Sequence, residues 1–233
     1  MYMSQHRFTP VPAKYDLWRP YNHNYMTLTA RVPGAVWSRI LRARDDPDTF
    51  FAIGLWTDRE AAMRWTESAE SRLGAKPSVD EGLYDGYPMS WSRWSLADFA
   101  WGLAGPVRVD DPSCFVKHIA WDMAAGAEAE QVALCRSLMS LLARRPGFVC
   151  GETYLGHKAD RLLQVYTFRS VDDWPLGEGR AAPAEIELLL QSDAARAMRD
   201  RVPAPTSIDC ELFESVWGPE TASLQRFIAA EAA

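Results

Sequence analysis

The four histidines, His6, His23, His118 and His157, are the residues of this chain best suited to move a proton near neutral pH, because an unperturbed imidazole titrates there. His118 alternates with apolar neighbours along the strand-like segment Cys114–Trp121, so it reads either as a hydrogen-bonded core residue or as a general base facing a cavity. His157 falls in a turn and His6 near the terminus, and both are expected to be solvated. Trp37 and Arg39 share one face of a strand, where a guanidinium beside an indole can hold an enolate or phenolate by charge and stacking, or simply cover the ring at the surface. Tyr154 and Tyr166, on the two strands of a later hairpin, can donate hydrogen bonds to a substrate oxygen or serve as sheet aromatics. Trp65 lies on a helix in one row with Ala61, Ala69 and Leu73, which makes it core or cavity wall. Trp121 shares a strand face with Phe115, Lys117 and Ile119 and joins the candidate substrate contacts.

Other chemistries lack their residues. No spacing matches a Ser-His-Asp triad, a HExxH helix, a GxGxxG turn or a phosphate loop. Cys114, Cys135, Cys150 and Cys210 contain no CxxC pair, so they are expected to be reduced, mostly buried thiols rather than a zinc site. A metal, flavin or nucleotide cofactor is therefore not expected. A net charge of −6, with no basic run longer than Arg144-Arg145, argues against nucleic acid as a partner. No apolar run approaches the ~20 residues that span a bilayer, and Met1 to Phe8 lacks the regions of a secretory leader, so a cytoplasmic location is expected.

The elements that must position these groups come in two copies. At 233 residues the chain is long enough for two domains of roughly 100 residues each. Pro33-Gly34 recurs as Pro146-Gly147, 113 positions later, and each is followed by a strand, a polar turn and a second strand. At the same offset Thr57-x-x-Glu60 and Ser170-x-x-Asp173 read as helix caps. Before each Pro-Gly sits a helix, with stripes Tyr21, Tyr25, Leu28, Val32 and Val132, Cys135, Leu138, Met139, Leu142; Pro20 is taken as the first residue of the earlier one. Strand, helix, strand, strand, helix, strand is the split βαβ order, so the fold class is α+β: tandem ferredoxin-like units, residues 1–105 and 106–233, with a turn-rich linker from Leu103 to Pro112 and a short C-terminal helix carrying Leu224, Phe227 and Ile228. Seven of the ten tryptophans precede residue 113, which assigns an aromatic-lined pocket to the first unit.

Val32-Pro33-Gly34 through Asp46-Pro47-Asp48-Thr49-Phe50-Phe51 and on to Trp65, with a second match over Pro146–Trp174, resembles the antibiotic biosynthesis monooxygenase group of dimeric α/β-barrel proteins. The resemblance implies that two fused units form within one chain the barrel that single-domain members make by dimerising. It implies an Asn and a Trp at the pocket, which brings forward Asn22 or Asn24 together with Trp65 as catalytic or substrate-binding residues. The implied activity is a cofactor-independent oxygenase that uses dioxygen on a phenolic aromatic polyketide in natural-product biosynthesis. A non-oxidative cyclase or isomerase, or a non-catalytic small-molecule-binding protein, are the alternatives. Haem-degrading relatives would place haem beside a helical His, for which His23 is the candidate. A homodimer is among the assemblies open to the chain.

Overall fold

The computed structural model describes residues 1–85, 95–104, 114–123, 126–156 and 161–220. Residues 105–112 of the expected linker, the turn at His157, Trp91, Trp94 and the C-terminal helix lie outside them; Leu103 and Ala104, expected in that linker, end a strand instead. The chain divides into two compact units, one of residues 1–98 with 211–233 and one of residues 99–210.

In unit 1, β1 (Tyr2–Phe8) leads through a 3-10 turn into α1 (Tyr15–Ala30), followed by the hairpin β2 (Ala35–Ala43) and β3 (Phe50–Trp56), the helices α2 (Arg59–Glu67) and α3 (Ala69–Asp80), and the start of β4 (Ser95–Ala104). Antiparallel pairing gives the order β4-β1-β3-β2, the ferredoxin-like arrangement. Helix α1 begins five residues before Pro20, whose missing N–H falls inside the helix, and it buries Trp18, Asn22, Met26 and Thr29 at 3-and-4 spacing. Leu28, assigned above to the apolar stripe, is 43% exposed instead. Trp18, Met26, Phe8, Ile40, Phe50 and Leu83 form one core cluster, and α2 presses Ala61, Ala62 and Trp65 onto Tyr2, Ala35 and Trp56.

The expected continuous helix through Ala69 and Leu73 is broken at Ser68. That residue ends α2 in extended geometry and caps α3, its hydroxyl accepting from Ser71 N at 2.9 Å. Similarly, the cap of α2 is Asp58 rather than Thr57: its carboxylate accepts from Ala61 N at 2.7 Å, and that bond lowers the Asp58 pKa.

Unit 2 repeats the plan with β5 (Phe115–Asp122), α4 (Glu128–Leu142), β6 (Phe148–Gly156), β7 (Arg161–Phe168), a 3-10 turn, α5 (Ala184–Leu190), α6 (Asp193–Arg201) and the start of β8 (Thr206–Trp217). Its order is β8-β5-β7-β6. The α4 stripe is Gln131, Cys135, Leu138, Met139 and Leu142, with polar Gln131 in the place expected for Val132; its amide donates to the Asp122 carbonyl at 3.0 Å. All four cysteines are buried and no disulfide joins them.

The two hairpins superimpose in register, though not at one offset. Both second strands follow a glycine of positive φ, Gly34 at 93° and Gly147 at 77°, and both carry an irregularity two residues later. Ala35 pairs with Trp56 as Phe148 pairs with Phe168. The offset is thus 113 in β2/β6 and 112 in β3/β7, because the turn of unit 2 is one residue shorter.

Candidate functional site

Side chains alternate across a strand, so the register decides which residues of unit 1 look toward its helices. Two rows do. Ser4, Gly54 and Ser38 are aligned across β1, β3 and β2, and beside them His6, Ala52 and Ile40. Four of these side chains are a hydroxymethyl, a hydrogen or a methyl, and their smallness leaves a space between the sheet and the helices. It is a cavity of about 520 Å³, walled by α1, α2, α3 and the segment at Tyr84.

Opposite that floor of small residues stands an aromatic wall. Tyr84 meets Tyr21 edge-on at 6.5 Å, Tyr21 stacks near Tyr25 at 6.2 Å, and Tyr25 lies 5.9 Å from Trp65. Each is fixed by its own element. Tyr21 and Tyr25 are one turn apart on α1, Trp65 comes from α2, and Tyr84 is held by backbone bonds that tie Leu83 and Asp85 to Val11 and Thr9. The Tyr25 hydroxyl bonds the Ser71 hydroxyl at 3.1 Å and also pairs with the Trp65 indole. Burial raises the pKa of all three phenols, that of Tyr21 to about 12, so they stay protonated donors at neutral pH. At the mouth, Arg72 binds the Glu67 carbonyl and Lys76 pairs with Asp80.

His6 belongs to this floor. The expectation that it is solvated is corrected: its ring packs 5.5 Å from Phe8, it lines the cavity, and burial lowers its pKa from 6.5 to about 4. It was missed because proximity to the terminus suggested exposure, whereas β1 lies between β3 and β4 in the sheet.

Of the residues singled out in the sequence, Trp65 and Asn22 reach the cavity, both buried; the Asn22 amide donates to the Met26 sulfur at 3.6 Å. Asn24 and His23 do not. Both are on the exposed side of α1, His23 in a contact with Glu214, because positions one and two residues from Asn22 turn away around the helix. A haem beside His23 would therefore sit outside the cavity. Trp37 and Arg39 alternate with Ser38 and Ile40 and so occupy the opposite sheet face, the guanidinium 4.0 Å above the Trp37 ring.

The remaining candidates are in unit 2 and line no part of this cavity. His118 is buried on the sheet face away from α4, between the helix-facing Lys117 and Ile119, and burial lowers its pKa to about 4. Tyr154 and Tyr166 do not converge. Tyr166 packs with Leu138 and Met139 of α4, while Tyr154 donates to Glu152 at 3.1 Å on the other face. Trp121 donates to Gln164 at 3.1 Å, and Gln164 donates to the Tyr166 hydroxyl.

That hydrogen-bonded trio occupies the unit 2 counterpart of the cavity. Register places Tyr166, between Lys117 and Gly151, where unit 1 has Gly54, and Gln164, between Ile119 and Thr153, where it has Ala52. Both side chains are wholly buried. Unit 1 has a hydrogen and a methyl where unit 2 has a phenol and a carboxamide.

Among the described residues no group of three or more His, Cys, Asp or Glu is placed to hold a metal, and no helix is long and apolar enough to cross a membrane. No curated protein matches the chain. Three solved structures share its fold along nearly the whole length. One is a candidate monooxygenase from Fusobacterium nucleatum (TM-score 0.68, 9% identity, 93% of this chain and 94% of that one). Another is a candidate monooxygenase from Lactobacillus acidophilus (0.60, 6%, 93% and 95%). The third is an anthrone oxidase-like protein (0.63, 15%, 94% and 94%). Residues 1–76, which run from β1 through the cavity floor into α3, match the antibiotic biosynthesis monooxygenase family.

Proposed function

We propose that the unit 1 cavity binds a flat, multi-ring phenolic compound and that the protein is a cofactor-independent oxygenase acting on it. The observation that carries this reading is the pairing of the Tyr84–Tyr21–Tyr25–Trp65 wall with a floor of small side chains in a space of about 520 Å³. A slot with one aromatic wall selects planar rings by stacking, and hydroxyls along it such as Ser4, Ser38 and Tyr21 can orient them by their oxygens. The family match over residues 1–76 and the likeness to an anthrone oxidase-like protein support the choice of oxygenation.

In such a reaction a ring methylene flanked by phenolic rings loses a proton, and the carbanion is stabilised as the enolate. One electron passes to dioxygen, and the radical and superoxide recombine into a C–O bond. The peroxide takes up the first proton. Loss of the second methylene proton then breaks the O–O bond, leaving a ketone, with the other oxygen released as water. The carbon is oxidised by four electrons and dioxygen accepts all four, so no further reductant enters. The protein excludes water, holds the ring plane, and offers the phenol hydroxyls to the enolate oxygen.

The test is oxygen uptake with an anthrone as probe, using protein treated with a chelator and free of flavin. The expected result is one dioxygen consumed and one quinone formed per substrate. Trp65→Phe should lower kcat/KM by about tenfold or more at unchanged thermal stability, since it keeps most of the ring volume but loses the indole N–H that holds Tyr25. No acceleration over buffer with any anthrone or naphthol probe would overturn the reading.

A further inference from the structure

We infer that the row Ser4, Gly54 and Ser38 on the cavity floor is an oxygen-binding subsite that takes the carbonyl oxygen of a planar ring ketone; the inference rests on the reading of the cavity given above and names the group that the sheet recognises. The three residues are aligned across β1, β3 and β2, and all of them line the cavity. At the centre of the row Gly54 leaves a notch. The place that a Cβ would take there lies 3.1 Å from the Ser4 hydroxyl and 3.1 Å from the Trp56 indole nitrogen; beyond the adjoining residues, its three nearest atoms all belong to those two side chains. Without that carbon, the polar edge of the pair is uncovered above the strand.

Each hydroxyl has a proton to give. The Trp56 indole N–H donates to Ser4 Oγ at 3.2 Å, so the serine oxygen already accepts and its own O–H is the group left to donate. A hydroxyl that receives a hydrogen bond is polarised by it and becomes a stronger donor. Ser38, on the other side of Gly54, is only 7% exposed, and its side chain makes no hydrogen bond among the described residues. A buried hydroxyl left unpaired costs free energy, and a ligand oxygen over Gly54 would pair it.

The chemistry of the row selects its ligand. Two neutral donors suit a carbonyl, whereas a carboxylate calls for a cation. The two floor rows carry no Lys or Arg, while Arg72 and Lys76 stand at the mouth with partners of their own. Ala52, two residues along β3 on the same face, leaves room for the ring that bears the oxygen. As an enolate forms, charge gathers on that oxygen and both serine bonds strengthen, adding two donors to the phenols of the wall. Unit 2 keeps none of the row: its positions hold Lys117, Tyr166 and Gly151, and the protein's own phenol fills the space.

The experiment measures binding by tryptophan quenching under argon with two probes, anthrone and 9,10-dihydroanthracene, which has the same three rings and a methylene in place of the carbonyl. Ser38→Ala removes a hydroxyl that no other described side chain uses. It should weaken anthrone about three- to tenfold, leave the affinity for the hydrocarbon unchanged, and not lower the melting temperature. Ser4→Ala should lose the same selectivity but melt lower, because it also strands the Trp56 N–H. Ser38→Thr, which keeps the hydroxyl, should keep the preference for anthrone. If both alanine variants bind anthrone as the wild type does, or lose affinity for the two probes alike, the inference is overturned. Oxygen uptake is read separately: a wild type that holds anthrone through these hydroxyls yet consumes no dioxygen refutes the oxygenase reading and leaves the subsite standing. A wild type that binds neither probe overturns both.

Discussion

Gly54 and Ala52 matter through what they lack. The unit 2 residues in their register positions, Tyr166 and Gln164, fill the space between sheet and helix with their own side chains and bond to one another. A Cβ on Gly54 would already come within 3.1 Å of the Ser4 hydroxyl and the Trp56 indole nitrogen, atoms that bond each other at 3.2 Å. The substitution Ala52→Gln imports the unit 2 residue while sparing that contact. It should abolish measurable binding of an anthrone probe and shift the melting temperature by only a few degrees, because the new side chain enters empty space instead of displacing packed atoms. Titration calorimetry beside a thermal melt would check this, and undiminished affinity would mean that the ligand binds elsewhere. Of the candidates drawn from sequence, Trp65 was legible because helical spacing identifies the side of a helix that packs inward, whereas Asn22 came from the family resemblance, which left it open against Asn24. His6 was not legible, since its burial depends on β4, distant in the chain, pairing along the other edge of β1.

At the level of elements, the recurring Pro-Gly was the most informative signal, and it has a physical basis. Gly34 and Gly147 adopt positive φ to turn the chain from helix into strand, and each abuts the element that follows the hairpin, a Cβ on Gly34 lying 2.5 Å from Ala61 and one on Gly147 2.2 Å from Asp173. Gly34→Ala should therefore cost several kcal/mol, whereas Gly126→Ala, at φ 77° but with nothing within 4 Å, should cost only about 1 kcal/mol of backbone strain. Urea unfolding of the two variants measures the difference; equal losses would show that the close approach of α2 to Gly34 carries no weight. The helix and strand order was legible from periodicity. The slip from 113 to 112 was not, because β3 and β7 are largely apolar on both faces, and a one-residue shift leaves their hydrophobic pattern intact. With the slip included, Gly54 falls opposite Tyr166, and the difference between an open and a filled unit could have been read from the sequence. The break at Ser68 escaped because a single serine beside the row of Trp65 and Ala69 looks like an ordinary helix position until its hydroxyl is seen capping α3.

In the molecule as a whole, two units of common plan differ in what fills the space between sheet and helices. Unit 1 keeps small residues on its floor, an imidazole among them and an aromatic wall above. Unit 2 gives the same ground to Trp121, Gln164 and Tyr166, whose side chains bond in series. The tryptophan excess of the first half foreshadowed this, although Trp37 faces away from the cavity and Trp18 belongs to the packed core beside it. Duplication followed by filling of one copy predicts one ligand per chain. A crystal structure of the protein soaked anaerobically with an anthrone tests the central claim most directly. The expected result is a single ligand per chain in unit 1, its rings against Tyr21, Tyr25 and Trp65 and over the small residues Gly54 and Ala52. A ligand in unit 2, or an empty unit 1 cavity with the compound bound elsewhere, would contradict it.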